Sequence, residues 1–157
     1  MIEALRRATP EDIHHVCRHM RDDDRMEWYF ASGRAPEEIL HDKFPAMAMV
    51  IPATGEVVGL CGVTPLDHRR LHGPRFPRAY GNIWMCGTDV LEDHSITLVR
   101  YARKWVEELS LSYYCLGNVV WAGNKTHVRW LRFMGFKFDS TPLRVNDQEF
   151  LSFRMDL

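Results

Sequence analysis

The stretch that most constrains this chain runs from Asn118 to Phe136, Asn-Val-Val-Trp-Ala-Gly-Asn-Lys-Thr-His-Val-Arg-Trp-Leu-Arg-Phe-Met-Gly-Phe. Val119-Val120-Trp121 reads as an apolar strand that breaks at Gly123. Asn124 then opens a helix with Val128, Leu131 and Met134 on one face. Gly135 closes it, as the left-handed residue that commonly ends a helix, and Phe136 restarts extended chain.

The surroundings of this unit are those of one globular domain. The 157 residues suffice for a single substantial core. A net charge of -1 supplies no whole-chain field towards nucleic acid or membrane, so either partner would need a local patch. No apolar run approaches the roughly 20 residues of a membrane span, and the N-terminal residues lack a signal-peptide pattern. Cys17, Cys61, Cys86 and Cys115 have neither C-x-x-C nor zinc spacing. Free buried thiols without disulfides, in a reducing cytoplasmic setting, are the expectation.

In chain order, residues 2–8 read as a first strand. Thr9-Pro10-Glu11-Asp12 is a capped helix start, followed by the stripe Ile13, Val16, Cys17, Met20. His15 and His19 are four apart on its outer face, with no third metal ligand nearby, and no metal site is expected. Asp22-Asp23-Asp24 lacks the glycine and terminal glutamate of a calcium loop and reads as a solvated turn. Pro36-Glu37-Glu38 opens a second short helix. Residues 46–51 and 56–63 form a hairpin across Pro52-Ala53-Thr54-Gly55. Residues 65–78 are irregular and basic, with Arg69, Arg70, Arg75 and Arg78 against one acid, Asp67: an anion site for phosphate, nucleic acid or an acidic partner surface, or a solvated loop. Residues 79–88 read as the fourth strand, 92–110 as the longest helix and the chain from about Leu116 as the fifth strand. After the Asn124 helix comes a terminal hairpin in which Phe136 and Phe138 alternate with Lys137 and Asp139, and Leu151, Phe153 and Met155 alternate with Ser152, Arg154 and Asp156.

An Asn opening a helix that closes on Gly-Phe, in the element order β α α β β β α β α β β, resembles the GNAT superfamily of acyl-CoA-dependent N-acyltransferases. The resemblance implies an α/β fold around a mixed, mostly antiparallel sheet whose fourth and fifth strands splay apart. It implies acetyl-CoA as cofactor. Met85, Cys86 and Gly87 on strand four, Ser95 and Ile96 at the start of the long helix, and Asn124 fall where the carrier would be contacted. Asn124 is equally a helix cap. Glu27, Asp89 and His94 are the candidates for a base that deprotonates an amine. The family's diphosphate motif, Arg/Gln-x-x-Gly-x-Gly/Ala, falls on Val90 to Ser95, which here reads Val-Leu-Glu-Asp-His-Ser. Asp93 and Ser95 replace glycines and Glu92 adds a second acid. These acids oppose a diphosphate but suit the first turn of a helix, with Asp93 as its cap. The family's usual catalytic Tyr falls on Leu131; Tyr101, Tyr113 and Tyr114 are the substitutes at hand.

Trp84 to Thr88, Arg103-Lys104-Trp105, Asn118-Val119-Val120, Asn124, Arg129-Trp130-Leu131 and Gly135-Phe136 further resemble the GNAT-like internal virion (core) protein A group of tailed phages. That resemblance implies a degenerate acyl-CoA site and a structural role in a phage particle, with the basic 65–78 loop as the contact surface for a protein partner; nucleic-acid binding by the loop arginines is the weaker alternative. The competing expectation is a divergent acetyl-CoA-dependent N-acetyltransferase acting on a primary amine.

Overall fold

The computed structural model describes residues 3–41, 45–66 and 78–157. Most of the basic loop, residues 67–77, lies outside them. Its described flank is tied down: Arg78 Nη1 donates to the Ser110 carbonyl at 3.0 Å.

The elements are β1 (Leu5–Arg7), α1 (Pro10–Arg18), α2 (Asp22–Ser32), α3 (Pro36–Ile39), β2 (Met47–Val50), β3 (Val57–Leu66), β4 (Ala79–Gly87), α4 (Val90–Asp93), α5 (Ser95–Leu109), β5 (Tyr113–Trp121), α6 (Lys125–Met134), β6 (Lys137–Phe138), β7 (Leu143–Val145) and β8 (Gln148–Asp156). They form one sheet in the order β1-β2-β3-β4-β5-β8-β6, with β7 also on β8. All pairings are antiparallel except β4 with β5. The mixed α/β architecture is the expected one.

Two apolar layers sandwich this sheet. Ile13, Val16, Cys17 and Met20 of the first helical region pack on Ala48, Val50, Leu60 and Cys86. On the other face Leu98 and Trp130 meet Met49, Val58 and Cys61, while Val106, Val128 and Leu131 meet Ile83, Leu116 and Val120. Alternation along the strands delivers this split, Leu60 to one face and Cys61 to the other. The local signals explain the ends of the helices. Thr9 and Asp12 form the capping box of α1, Thr9 N–H to Asp12 Oδ2 at 2.8 Å and Asp12 N–H to Thr9 Oγ1 at 3.2 Å. Asn124 caps α6, and Gly135 ends it at φ +102°, where a side chain would be strained. Asn146 and Asp147, both at positive φ, make the two-residue turn between β7 and β8.

Three sequence expectations need correction. Residues 22–24 are not a solvated turn: they open α2, an eleven-residue helix, and Asp24 is 2% exposed. The helix was illegible because the face it buries is polar rather than apolar. The expected helix over 92–110 is broken at His94 into α4 and α5. Asp93 therefore ends α4 instead of capping α5, whose N-cap is His94 without a side-chain bond.

All four cysteines are buried free thiols. Burial pushes Cys17 up to about 11 and Cys61 up to about 12, so both stay protonated at neutral pH. No described helix is long and apolar enough to cross a membrane.

Candidate functional site

The site lies where β4 and β5 part. At one end the strands are paired, Tyr80 opposite Cys115 and Asn82 opposite Gly117. Beyond that, β4 continues on β3 as far as Gly87 and β5 continues on β8 as far as Trp121, but the two no longer pair with each other. Asn118 stands at the fork: its Nδ2 donates to the Ile83 carbonyl at 2.8 Å, replacing the next backbone bond with a side chain.

A parting of strands leaves edge N–H and C=O groups that must find partners if buried. Here α2 provides them. Arg21, Asp24 and Glu27 recur at three-residue spacing along one face of the helix and are 3%, 2% and 7% exposed. The Arg21 N–H donates to the Gly87 carbonyl at 2.8 Å, and the Gly87 N–H donates to Asp24 Oδ2 at 2.8 Å. Asp24 Oδ1 accepts from Arg21 Nη1 and from Asn124 Nδ2, both at 2.8 Å. Glu27 Oε1 accepts the Trp121 N–H at 3.0 Å and Asn124 Nδ2 at 3.4 Å. Two carboxylates from α2 thus engage one edge amide of each strand, and Asn124 bridges them.

The cluster extends on both sides. Arg21 Nε donates to the half-exposed Glu92 at 2.9 Å, and its guanidinium lies 5.3 Å from the centre of the Trp130 ring. Buried His127, three residues after Asn124, places Nδ1 3.3 Å from Glu27 Oε2, an ion-pair distance without hydrogen-bond alignment. Burial disfavours the charged imidazole, but the Glu27 and Asp24 carboxylates outweigh it and raise the His127 pKa above the ordinary histidine value. A protonated His127 balances the buried charge: Arg21 and His127 against Asp24 and Glu27.

A cavity of about 370 Å³ adjoins the cluster. Trp28 and Trp84 line it from the α1–α3 side of the sheet, Trp105 and Trp130 from the α5–α6 side, so it passes through the fork. Glu27 and His127 bring charge to a wall that is otherwise mostly apolar.

The sequence candidates separate on this frame. Glu27 lies in the cluster and on the cavity wall. Asp89 is exposed at the start of α4 and His94 is half-buried between α4 and α5, neither of them lining the cavity. Met85 and Ser95 line it. Cys86 is fully buried among the α1 side chains, and Ile96 is 71% exposed. The outer-edge amide of Gly87 and the side-chain amide of Asn124 are already engaged. Leu131 and Tyr101 line the cavity; Tyr113 and Tyr114 do not. Arg21, Asp24 and His127 were missed. The spacing Arg21-x-x-Asp24-x-x-Glu27 was the available signal, hidden among neighbouring charges. Among the described residues no group of three or more His, Cys, Asp or Glu side chains could hold a metal, and His19 Nδ1 instead contacts the His15 carbonyl at 2.9 Å.

No protein-family model matches the sequence, and no curated protein matches it. Solved structures do. The chain is similar to ribosomal-protein-alanine N-acetyltransferase from Brucella melitensis, with 16% identity over 98% of this chain and 99% of that one, and a TM-score of 0.65. It is similar to AAC(6')-Ib in complex with ribostamycin and coenzyme A, with 13% identity over 98% and 92% and a TM-score of 0.69. The GNAT domain of S. lividans PAT gives 15% identity over 98% and 89%, at a TM-score of 0.61. The chain therefore has the GNAT fold, that of N-acetyltransferases. At these identities the likeness is one of fold.

The residues present do not fit the coenzyme A that this fold implies. The turn from 88 to 95 contains no glycine and carries Asp89, Glu92 and Asp93. Four of its residues are wound into α4, and Glu92 is committed to Arg21. At the fork, Asp24 and Glu27 occupy amides on both strands.

Proposed function

We propose that this protein uses an acetyltransferase-type fold as a binding and interaction component and does not carry out efficient acyl transfer. The observation that carries this reading is the occupation of the β4/β5 fork by Asp24 and Glu27, which take the Gly87 and Trp121 amides. An incoming carrier would have to displace two buried carboxylates and leave Arg21 without its buried partner, a loss of roughly 3–5 kcal/mol before any new contact forms. Titration calorimetry with acetyl-CoA at physiological salt tests this: no heat of binding is expected up to millimolar ligand, and a micromolar dissociation constant overturns it. The sequence resemblance to the phage core protein A group supports a place in a phage particle. Peptides of the chain are then expected in mass spectra of purified virions, and their absence would remove that setting.

A second reading, a divergent N-acetyltransferase acting on a primary amine, is favoured by the cavity through the fork with Glu27 and His127 on its wall. Glu27 would act as base, with Asp89 and His94 as the alternatives. Thiol release from acetyl-CoA across an amine panel checks it. Turnover lost in Glu27→Gln but kept in Asp89→Ala and His94→Ala would establish this reading, and no turnover above the buffer rate ends it.

A further inference from the structure

The outward faces of α5 and α6 carry a charge distribution unlike the rest of the molecule. Arg100, Arg103 and Lys104 are exposed on α5; Lys125, Arg129 and Arg132 are exposed on α6. The i, i+4 and i+7 spacings of 125, 129 and 132, and the i, i+3 and i+4 spacings of 100, 103 and 104, keep each set together on its helix. None of the six lies within 4 Å of an acid among the described residues, whereas Arg6, Arg21 and Arg25 all do. Glu107 and Glu108 are also exposed on α5, so α5 and α6 together carry six cations against two acids, the three cations of α6 without an acid on their helix; with a chain net charge of -1 the remainder is still clearly negative. The field is directional although the total is near zero.

Beside half-buried Tyr101, whose ring centre lies 5.6 Å from Lys104 Nζ, an exposed aromatic ring sits within this strip. Phe133 is 62% exposed. The Arg103 guanidinium lies 5.2 Å from its ring centre and donates through Nη2 to the Phe133 carbonyl at 2.6 Å, joining the two helices. Arg132, next in sequence, lies 5.1 Å from the centre of the Phe138 ring. An exposed ring backed by a guanidinium and flanked by further cations is the arrangement on which an unpaired base stacks while its phosphates are neutralised. Four of the six cations are arginines, whose planar forks match phosphate oxygens. An acidic peptide would use the charges but leave the Phe133 ring without a purpose.

We propose that the outer α5/α6 face binds single-stranded nucleic acid, with phosphates on Arg100, Lys125, Arg129 and Arg132 and a base against Phe133. This places nucleic-acid binding elsewhere than on the 65–78 loop arginines, because the six cations come from two segments some 25 residues apart and converge only in the fold. It is independent of the fork and of any acyl carrier. The probe is a fluorescently labelled fifteen-nucleotide oligothymidine, followed by anisotropy from 50 to 200 mM salt. Binding is expected to weaken with a log–log slope of about -3 to -4, for four to six neutralised phosphates at about -0.7 each. Phe133→Ala is expected to weaken it by about 5- to 100-fold at fixed salt with an unchanged slope. The double variant Arg100→Glu/Arg129→Glu is expected to reduce the slope as well as the affinity. All these positions are exposed, so circular dichroism should match wild type and exclude misfolding as the cause. No binding at 50 mM salt, a flat salt response, wild-type affinity in both variants, or equal competition by poly-glutamate at matched charge would each overturn the proposal.

Discussion

The two ends of the β4/β5 pair meet the same physical demand in opposite ways. From Ala79 to Asn82 the edge groups of β4 are satisfied by β5 itself, strand against strand. From Ile83 to Gly87 they turn to side chains and to one backbone amide of the α2 cap: Asn118 on the Ile83 carbonyl, the Arg21 N–H on the Gly87 carbonyl and Asp24 on the Gly87 amide, with Glu27 on the facing strand at Trp121. The paired end relies on repetitive bonds that survive most substitutions. The open end relies on a few charged groups, each bonded to several partners, in surroundings where an unpaired charge is costly. Sensitivity to mutation should therefore be concentrated at one end of one strand pair.

The largest effect should come from Asp24→Ala. It removes the buried partner of Arg21, strands the Gly87 amide and leaves Asn124 Nδ2 with only Glu27 at 3.4 Å, for an expected loss of about 3–5 kcal/mol in urea unfolding. A loss below about 1 kcal/mol would mean the open end is solvated, and the contrast with the paired end would collapse. Next comes a probe of the paired end. An added Cβ at Gly117 would lie 2.1 Å from Tyr80 Oη and 2.8 Å from the Phe153 carbonyl, so Gly117→Ala should cost about 1–3 kcal/mol by overpacking. The fork itself is sharpened by Asn118→Ala, which deletes the bonds to the Ile83 carbonyl and the Val119 amide for about 1–2 kcal/mol. Half-buried Arg25→Ala, whose Glu37 partner is half in water, should change stability by less than about 1 kcal/mol through that ion pair.

The pH response of the open end has a definite sign. The folded-state pKa of His127 is raised, so protonated His127 stabilises the fold fully below the unfolded value near 6.5, and that contribution is lost as pH rises through the folded value. Urea unfolding at a series of pH values from 5.5 upward should show stability falling over this window, and His127→Gln should abolish that step. A step of the opposite sign would show that burial, not Glu27, dominates.

Much of the fold was legible because its signals are local. The Thr9-to-Asp12 capping box, Asn124 and Gly135 at the ends of α6, and the alternation around Phe153 each need only neighbouring residues. The anomaly at 90–95 was also visible, because the missing glycines are read directly from the chain. The polar cluster at the fork was not. Asp24 and Asn124 are 100 positions apart, and Asp22-Asp23-Asp24 carries no apolar period to announce that one of the three points inward. A helix that buries charge looks like a loop in sequence. His127 escaped for the same reason, since its partner Glu27 is on a distant helix.

Amide hydrogen exchange at Gly87 and Trp121, followed by NMR with and without acetyl-CoA, tests the self-occupied fork most directly. The account predicts two slowly exchanging amides that the carrier leaves unchanged, and selective loss of protection in Asp24→Ala at Gly87 and in Glu27→Ala at Trp121. Fast exchange in the free protein, slowed at both amides when acetyl-CoA is added, would contradict it and return the fork to acyl transfer.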